Sequence, residues 1–219
     1  MKKQYAVLGL GSFGWSVAVT LEKMGCDVLA VDDSYEKIQE ISDQVAYAMK
    51  ADVSEPEALK ALGSRNLDGV VVAVSENFEA SVMAAMICKE MGIPKVLAKA
   101  NDRLQGAILE RVGADMIVYP EMDMGSRVAK NLVAKEFTDW IALSNDYSMV
   151  ETAVPKRWVG KNLVELKVRE KYGINVVGMI KGEEVSVALD PLEPLPEDGI
   201  LILIGANKTL EAFDSGKRE

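Results

Sequence analysis

Six residues near the amino terminus, Gly9-Leu10-Gly11-Ser12-Phe13-Gly14, have the types and spacing of a turn that cradles phosphate. They follow an apolar run, QYAVL, and precede a helical pattern, so the turn joins a strand to a helix. In that setting Gly9 permits the tight turn and Gly11 lets backbone approach a pyrophosphate. Gly14 lets the helix pack on the strand, with Ser12 and Phe13 carried between. Free N–H groups at the positive end of the helix would meet phosphate oxygens. A glycine-rich turn with structural duties alone is the competing account.

A second apolar run, VLAVDDS, ends in Asp32 and Asp33. Asp32 follows Gly9 at about the twenty-residue offset at which a carboxylate accepts hydrogen bonds from ribose hydroxyls. A carboxylate there repels a 2′-phosphate, which favours NAD, ATP, ADP or AMP over NADP. Asp33-Ser34 stands where the N-cap of the next helix is preferred, and Asp33 suits that cap. Asp52 and Val53, past the third run, fall where an adenine edge would lie, although a solvated loop acid accounts for Asp52 as well. Val74 and Ser75, past the fourth run, stand at the carboxyl edge of a sheet, where open α/β folds bind ligands. Lys99 closes the fifth run, VLAKA, where its ammonium would meet phosphate, and a plain solvated lysine is the alternative.

The elements that must position these residues alternate. Strands are expected over 4–8, 27–31, 44–49, 68–74, 95–99 and 115–119, with helices over 14–24, 34–42, 56–62, 78–91 and 102–112. Gly25, Gly63, Gly92 and Gly113 stand at four helix ends. This is the pattern of a Rossmann fold, a doubly wound parallel sheet with helices on both faces. A further helix is expected over 124–137, with Val128, Leu132 and Val133 on its apolar face. Short strands over 148–154, 175–180, 184–188 and 200–204, with one helix over 162–171, then predict a small α+β domain. The boundary falls at 138/139, giving domains 1–138 and 139–219.

Composition removes several function classes. The 219 residues carry a formal charge of −9, which argues against a nucleic-acid partner, since that role needs Lys and Arg to neutralise phosphates. Histidine is absent, and with it every Ser-His-Asp, Cys-His or His-metal arrangement. Cys26 and Cys88 are too few for a disulfide framework and read as small hydrophobes in a reducing compartment. No run of about 18 apolar residues is present to span a membrane, so a soluble chain working at a membrane only through a partner is expected. No Tyr has a Lys four positions later, as a short-chain dehydrogenase needs. A small NAD-dependent oxidoreductase is nevertheless the first rival reading. A transcriptional regulator, which would need a basic recognition helix, is the second.

Taken together, VLGLGSFGWSVAVTLEKMGCDVLAVD, NLDGVVVAVSEN and GADMIVYPEMDMGSRVAKNL resemble the RCK (KTN) domains of bacterial Ktr and Trk potassium-uptake systems. VGKNLVELKVREKYGINVVGMIKG and LPEDGILILIG resemble the companion C-terminal domain. The resemblance implies a cytoplasmic regulatory subunit, not an enzyme, forming homodimers that assemble into an octameric ring. Such a ring binds ATP, ADP or NAD(H) and opens or closes a membrane potassium-translocating subunit, with no insertion of its own into the membrane. Gly9, Gly11, Gly14 and Asp32 would hold the nucleotide, supported by Asp52 and Lys99. Glu121 resembles a family acid that helps hold a divalent cation beside the phosphates between subunits. A helix N-terminal acid is its bland counterpart.

Two departures stand out. Ser12 replaces an Arg that many relatives direct at terminal phosphates. In the C-terminal domain some relatives bind cyclic di-AMP at a dimer interface. The matching positions are Leu163, Val164, Arg169, Asn175, Val176 and Pro191, with Lys167 in place of an acid. The helix over 124–137 is the element expected to transmit the nucleotide state to a partner.

Overall fold

The computed structural model describes residues 2–62 and 66–215. β-Branched runs alternate with helices through the first half. They form β1 (Gln4–Leu8), α1 (Ser12–Lys23), β2 (Asp27–Asp32), α2 (Tyr35–Ile41), β3 (Tyr47–Lys50), α3 (Pro56–Leu62), β4 (Gly69–Val72), α4 (Phe78–Glu90), β5 (Val96–Lys99), α5 (Arg103–Arg111) and β6 (Met116–Val118). The six strands are parallel, in the order β3-β2-β1-β4-β5-β6. From β1 the chain winds one way across the sheet, and after β3 it returns to wind the other way. The carboxyl ends of β1 and β4 therefore flank a crevice at the point of reversal.

Side chains alternate between two apolar layers, as a pleated strand requires. Val7, Val28, Ala30 and Val71 face one layer with Ile38 and Ile41 of α2. Ala6, Leu8, Leu29, Val31, Val70 and Val72 face the other with Ala80, Ala84 and Cys88 of α4. Burial pushes the Cys88 thiol up to about 12, so it is an inert core group, whereas Cys26 is only half-buried. Gly25, Gly92 and Gly113 carry positive φ just past α1, α4 and α5. Gly63 lies outside the described residues.

Of the Asp33-Ser34 pair expected at the cap of α2, the second residue takes the role. Ser34, not Asp33, is the last extended residue before α2, and its hydroxyl accepts the Lys37 N–H. Asp32 already takes the Ser34 N–H, which extends the chain one residue further before the helix begins.

The chain divides into two compact units after Asp123, within α6 (Pro120–Val133). The second unit continues with β7 (Phe137–Ala142), β8 (Tyr147–Ala153), α7 (Leu163–Leu166), α8 (Val168–Tyr172), β9 (Asn175–Lys181), β10 (Glu184–Ser186), β11 (Ile200–Ala206) and α9 (Asn207–Asp214). Its five strands form an antiparallel sheet in the order β10-β9-β11-β8-β7. Phe137, Trp140, Trp158, Leu201, Leu203 and Phe213 lie at the centre of its core.

Three local expectations are corrected here. The helix expected over 124–137 starts at Pro120, where a fixed φ and a missing N–H suit a first turn, and stops at Val133. Asp214 draws the chain out of the helix by accepting the N–H groups of Lys135 and Glu136 at 3.0 and 2.8 Å, and residues 137–142 become a strand. The helix expected over 162–171 breaks at Lys167, whose φ of 47° is left-handed, leaving two short helices. Helix α9 was not anticipated at all. Among the described residues no helix is long and apolar enough to cross a membrane.

Candidate functional site

Gly9, Gly11, Ser12, Phe13, Asp32, Asp33, Asp52, Val53, Val74, Ser75, Lys99 and Glu121 all line one cleft of about 490 Å³ at the crevice. That volume falls within the usual range for small-molecule sites. Of the residues singled out for binding, Gly14 alone does not line it.

The glycine loop is set by backbone crowding. Gly9 has φ of 94°, donates its N–H to Val31 O at 2.8 Å, and runs so close to the exit of β4 that an added Cβ would meet Val74 N at 3.0 Å. Gly14 is tighter, since a Cβ there would lie 2.0 Å from Gly9 O. Its role is to let the first turn of α1 press against the loop. Gly11, the cap residue of α1, brings no side chain to its N–H groups, and the first turn of α1 carries no acid. An anion is the group such an end accepts.

Asp32 ends β2 and is nearly buried, 6% exposed. Its Oδ2 accepts the Leu10 N–H at 2.6 Å, and its Oδ1 accepts the Ser34 N–H at 2.9 Å. The Lys37 ammonium lies 3.3 Å from both oxygens. Burial alone would raise the Asp32 pKa, but these donors outweigh it and hold the carboxyl below its ordinary value. The acid is therefore ionised and already fixed in place.

Across the cleft, Lys99 is 7% exposed at the end of β5. Its Nζ donates to Ser75 Oγ at 2.8 Å and to Glu121 Oε1 at 2.5 Å. That bond to Lys99 lowers the pKa of Glu121, in the first turn of α6. Asp52 is exposed and turned on its own loop. Its Oδ1 accepts the N–H and hydroxyl of Ser54 at 2.8 and 2.6 Å, and that hydroxyl is the main reason its pKa is lowered.

The lining carries acids at Asp32, Asp33, Asp52, Glu76 and Glu121 against ammonium groups at Lys37 and Lys99. Both lysines are paired with acids of the cleft. A phosphate entering this cleft would meet backbone N–H groups first, and either ammonium only on release of its pair. Among the described residues no three His, Cys, Asp or Glu side chains converge to hold a metal ion. A cation beside Glu121 would need ligands from outside that set.

Lys37 is the charged partner of Asp32 in the lining that the sequence reading passed over. The signal for it was a lysine in the first turn of the helix that follows Asp32. In the second unit, Leu163, Val164, Lys167, Arg169, Asn175 and Val176 line a shallower cleft of about 390 Å³. Pro191 is not in that lining, although its carbonyl accepts the Val164 N–H at 3.3 Å.

Comparison with known proteins agrees with this architecture. The TrkA-N domain family matches residues 5–120 and the TrkA-C domain family matches residues 148–215. Ktr system potassium uptake protein C of Bacillus subtilis is 38% identical over 98% of this chain and 97% of its own. Ktr system potassium uptake protein A of the same organism is 34% identical over 97% of this chain and 96% of its own. Among solved structures, the GsuK channel bound to NAD superposes with a TM-score of 0.67 at 16% identity. The likeness covers 97% of this chain and 39% of that one, and it concerns the fold alone. On fold, matched domains and full-length similarity, the chain belongs to the RCK family of TrkA-N plus TrkA-C proteins that includes the Ktr potassium-uptake proteins.

Proposed function

We propose that this protein is a cytoplasmic regulatory subunit that binds an adenine nucleotide, ATP, ADP or NAD(H), and thereby gates a membrane potassium-translocating partner. The observation that carries the reading is the convergence of three devices in one cleft: an uncapped α1 end behind Gly9 and Gly11, the ionised Asp32, and the buried Lys99. In this reading the α1 end takes pyrophosphate, Asp32 the ribose and Lys99 further phosphate. Two relatives named as potassium-uptake proteins, and a channel of the same fold bound to NAD, support the assignment.

Nucleotide acts here as a signal and is not consumed. It shifts an equilibrium between two assembly states only through its different affinity for them. Incoming phosphate would compete with Glu121 for the Lys99 ammonium and so act on the first turn of α6. Glu121, once released, would hold a divalent cation together with the phosphates. Helix α6 exposes Met124, Val128 and Leu132 at i, i+4 and i+8, a stripe suited to pairing two copies into a dimer and dimers into an octameric ring. The cleft lined by Leu163, Arg169 and Asn175 supports a second reading, in which the C-terminal unit takes cyclic di-AMP.

The test is calorimetry and light scattering on the full chain with ATP, ADP, NADH or cyclic di-AMP, each alone and with Mg²⁺. Binding without turnover of NADH, together with a dimer or larger species, is expected. Asp32→Asn should lose at least tenfold in adenylate affinity, since bonds to a charged acceptor contribute about 1.5–3 kcal/mol. A monomer that binds no adenylate, or one that oxidises NADH against a carbonyl panel, would overturn the proposal.

A further inference from the structure

We infer that Asn101, a residue outside the cleft, is a positioning residue for phosphate: it holds the Ser75 carbonyl and so aims the Glu76 N–H into the cleft. The inference rests on the nucleotide reading above and adds a donor to its phosphate subsite. The exit of β4, from Ala73 to Asn77, forms one wall of the cleft and passes against Gly9. Two side chains that do not line the cleft hold its carbonyls. Ser81 of α4, 1% exposed, donates its hydroxyl to Val74 O at 2.9 Å. Asn101, in the turn between β5 and α5, donates from Nδ2 to Ser75 O at 3.2 Å. A carbonyl only accepts, so the nitrogen of the Asn101 amide is the atom that faces it. The Asn101 backbone is fixed in turn, its N–H donating to Gln105 Oε1 at 3.1 Å.

In a trans peptide the C=O and N–H point opposite ways. Strands β1 and β5 lie on either side of β4, so a Ser75 carbonyl turned to the β5 exit turns the Glu76 N–H toward the β1 exit. There the glycine turn borders the cleft. Among the described residues neither the Ser75 nor the Glu76 N–H has an acceptor. A phosphate oxygen brought in at the glycine turn is the acceptor such a group lacks. The Glu76 side chain is exposed and can extend into water while its N–H stays in place. Released from Asn101, the same peptide can rotate and present the Ser75 carbonyl instead, which repels phosphate. Lys99 holds Ser75 only through Oγ, at 2.8 Å, and does not fix that peptide plane. The direction of the peptide therefore turns on Asn101.

The experiment pairs amide hydrogen exchange at Glu76 with calorimetry of ADP, on the full chain and on Asn101→Ala and Asn101→Gln. In the wild type, saturating ADP should slow exchange at Glu76 by about tenfold or more. Asn101→Ala should bind ADP about three- to tenfold more weakly, since one bond to a charged acceptor loses its alignment. Its Glu76 exchange should respond little to ADP. Asn101→Gln, which keeps an amide donor, should bring both readings to within about twofold of wild type. Asn101 is exposed, so the fold tolerates either change, and the wild-type exchange tests the N–H with no variant at all. ADP binding that leaves Glu76 exchange unchanged in the wild type overturns the inference while nucleotide binding stands. So does an Asn101→Ala protein that keeps wild-type affinity or wild-type protection. Failure of ADP to bind the wild-type protein overturns the nucleotide reading and this inference with it.

Discussion

Gly14 serves the loop, and only through it the cleft, which it does not line. A methyl group at Gly14 has nowhere to go, since the atom it meets at 2.0 Å is a backbone oxygen of the same loop and the next, at 3.0 Å, is the Ala73 methyl. Gly14→Ala should therefore cost about 1–3 kcal/mol of stability, as overpacking does. Urea unfolding followed by circular dichroism measures it. Wild-type stability in that variant would mean that the loop relaxes freely. The glycine turn and the place of Asp32 in the cleft were readable because backbone clearance and the end of a parallel strand leave marks at fixed offsets. Lys37 was not, since its meaning depends on where a flexible side chain turns. The pairing of Lys99 with Glu121 was equally hidden, because 22 positions separate two residues that the sheet brings together.

Among the elements, α6 and β7 are joined by a charged clamp. Arg127 pairs with Asp139, and Asn131 Nδ2 donates to Asp139 Oδ1 at 2.9 Å. The Arg127 guanidinium in particular pulls the Asp139 pKa down from 3.8 to about 2. A folded-state pKa below the unfolded one stabilises the native chain above the unfolded value, and that stability is lost as pH falls through the folded one. The window for this acid is pH about 4 down to about 2. Asp139→Asn should lower stability near neutral pH by about 1 kcal/mol, the pair being partly exposed. The gap to wild type should close as pH drops through that window, which urea midpoints at several pH values will reveal. A gap constant with pH would assign the loss to packing. Local signals identified the parallel sheet because each βαβ unit repeats the same period and caps. They failed at residues 134–142 because the helix is ended by Asp214, far along the chain, and no nearby breaker announces it.

For the whole molecule the governing quantity is a charge of −9 with an acid-rich cleft mouth. A nucleotide polyphosphate approaches against that field. Raising ionic strength from about 0.01 M to about 0.15 M shortens the screening length from about 30 Å to about 8 Å. Stopped-flow association of ATP should then accelerate by roughly 2- to 10-fold, with uncharged adenosine unaffected. Slowing by salt would instead point to a basic entry path supplied by a second copy. The two-part organisation was legible from the change of pattern after Tyr119-Pro120, where strand and helix cease to alternate.

The link between Asp214 and residues 135–136 carries a consequence for how the chain is made. The first unit has all its strands once residue 118 has left the ribosome. In the second, β7 and α6 wait for a carboxylate translated some eighty residues later, and Phe137 waits for Phe213, its stacking partner at 6.1 Å. At roughly 5–20 residues per second the nascent protein spends several seconds with a finished parallel sheet and an open second core. During that interval the apolar edge of the unfinished half is what a chaperone would meet.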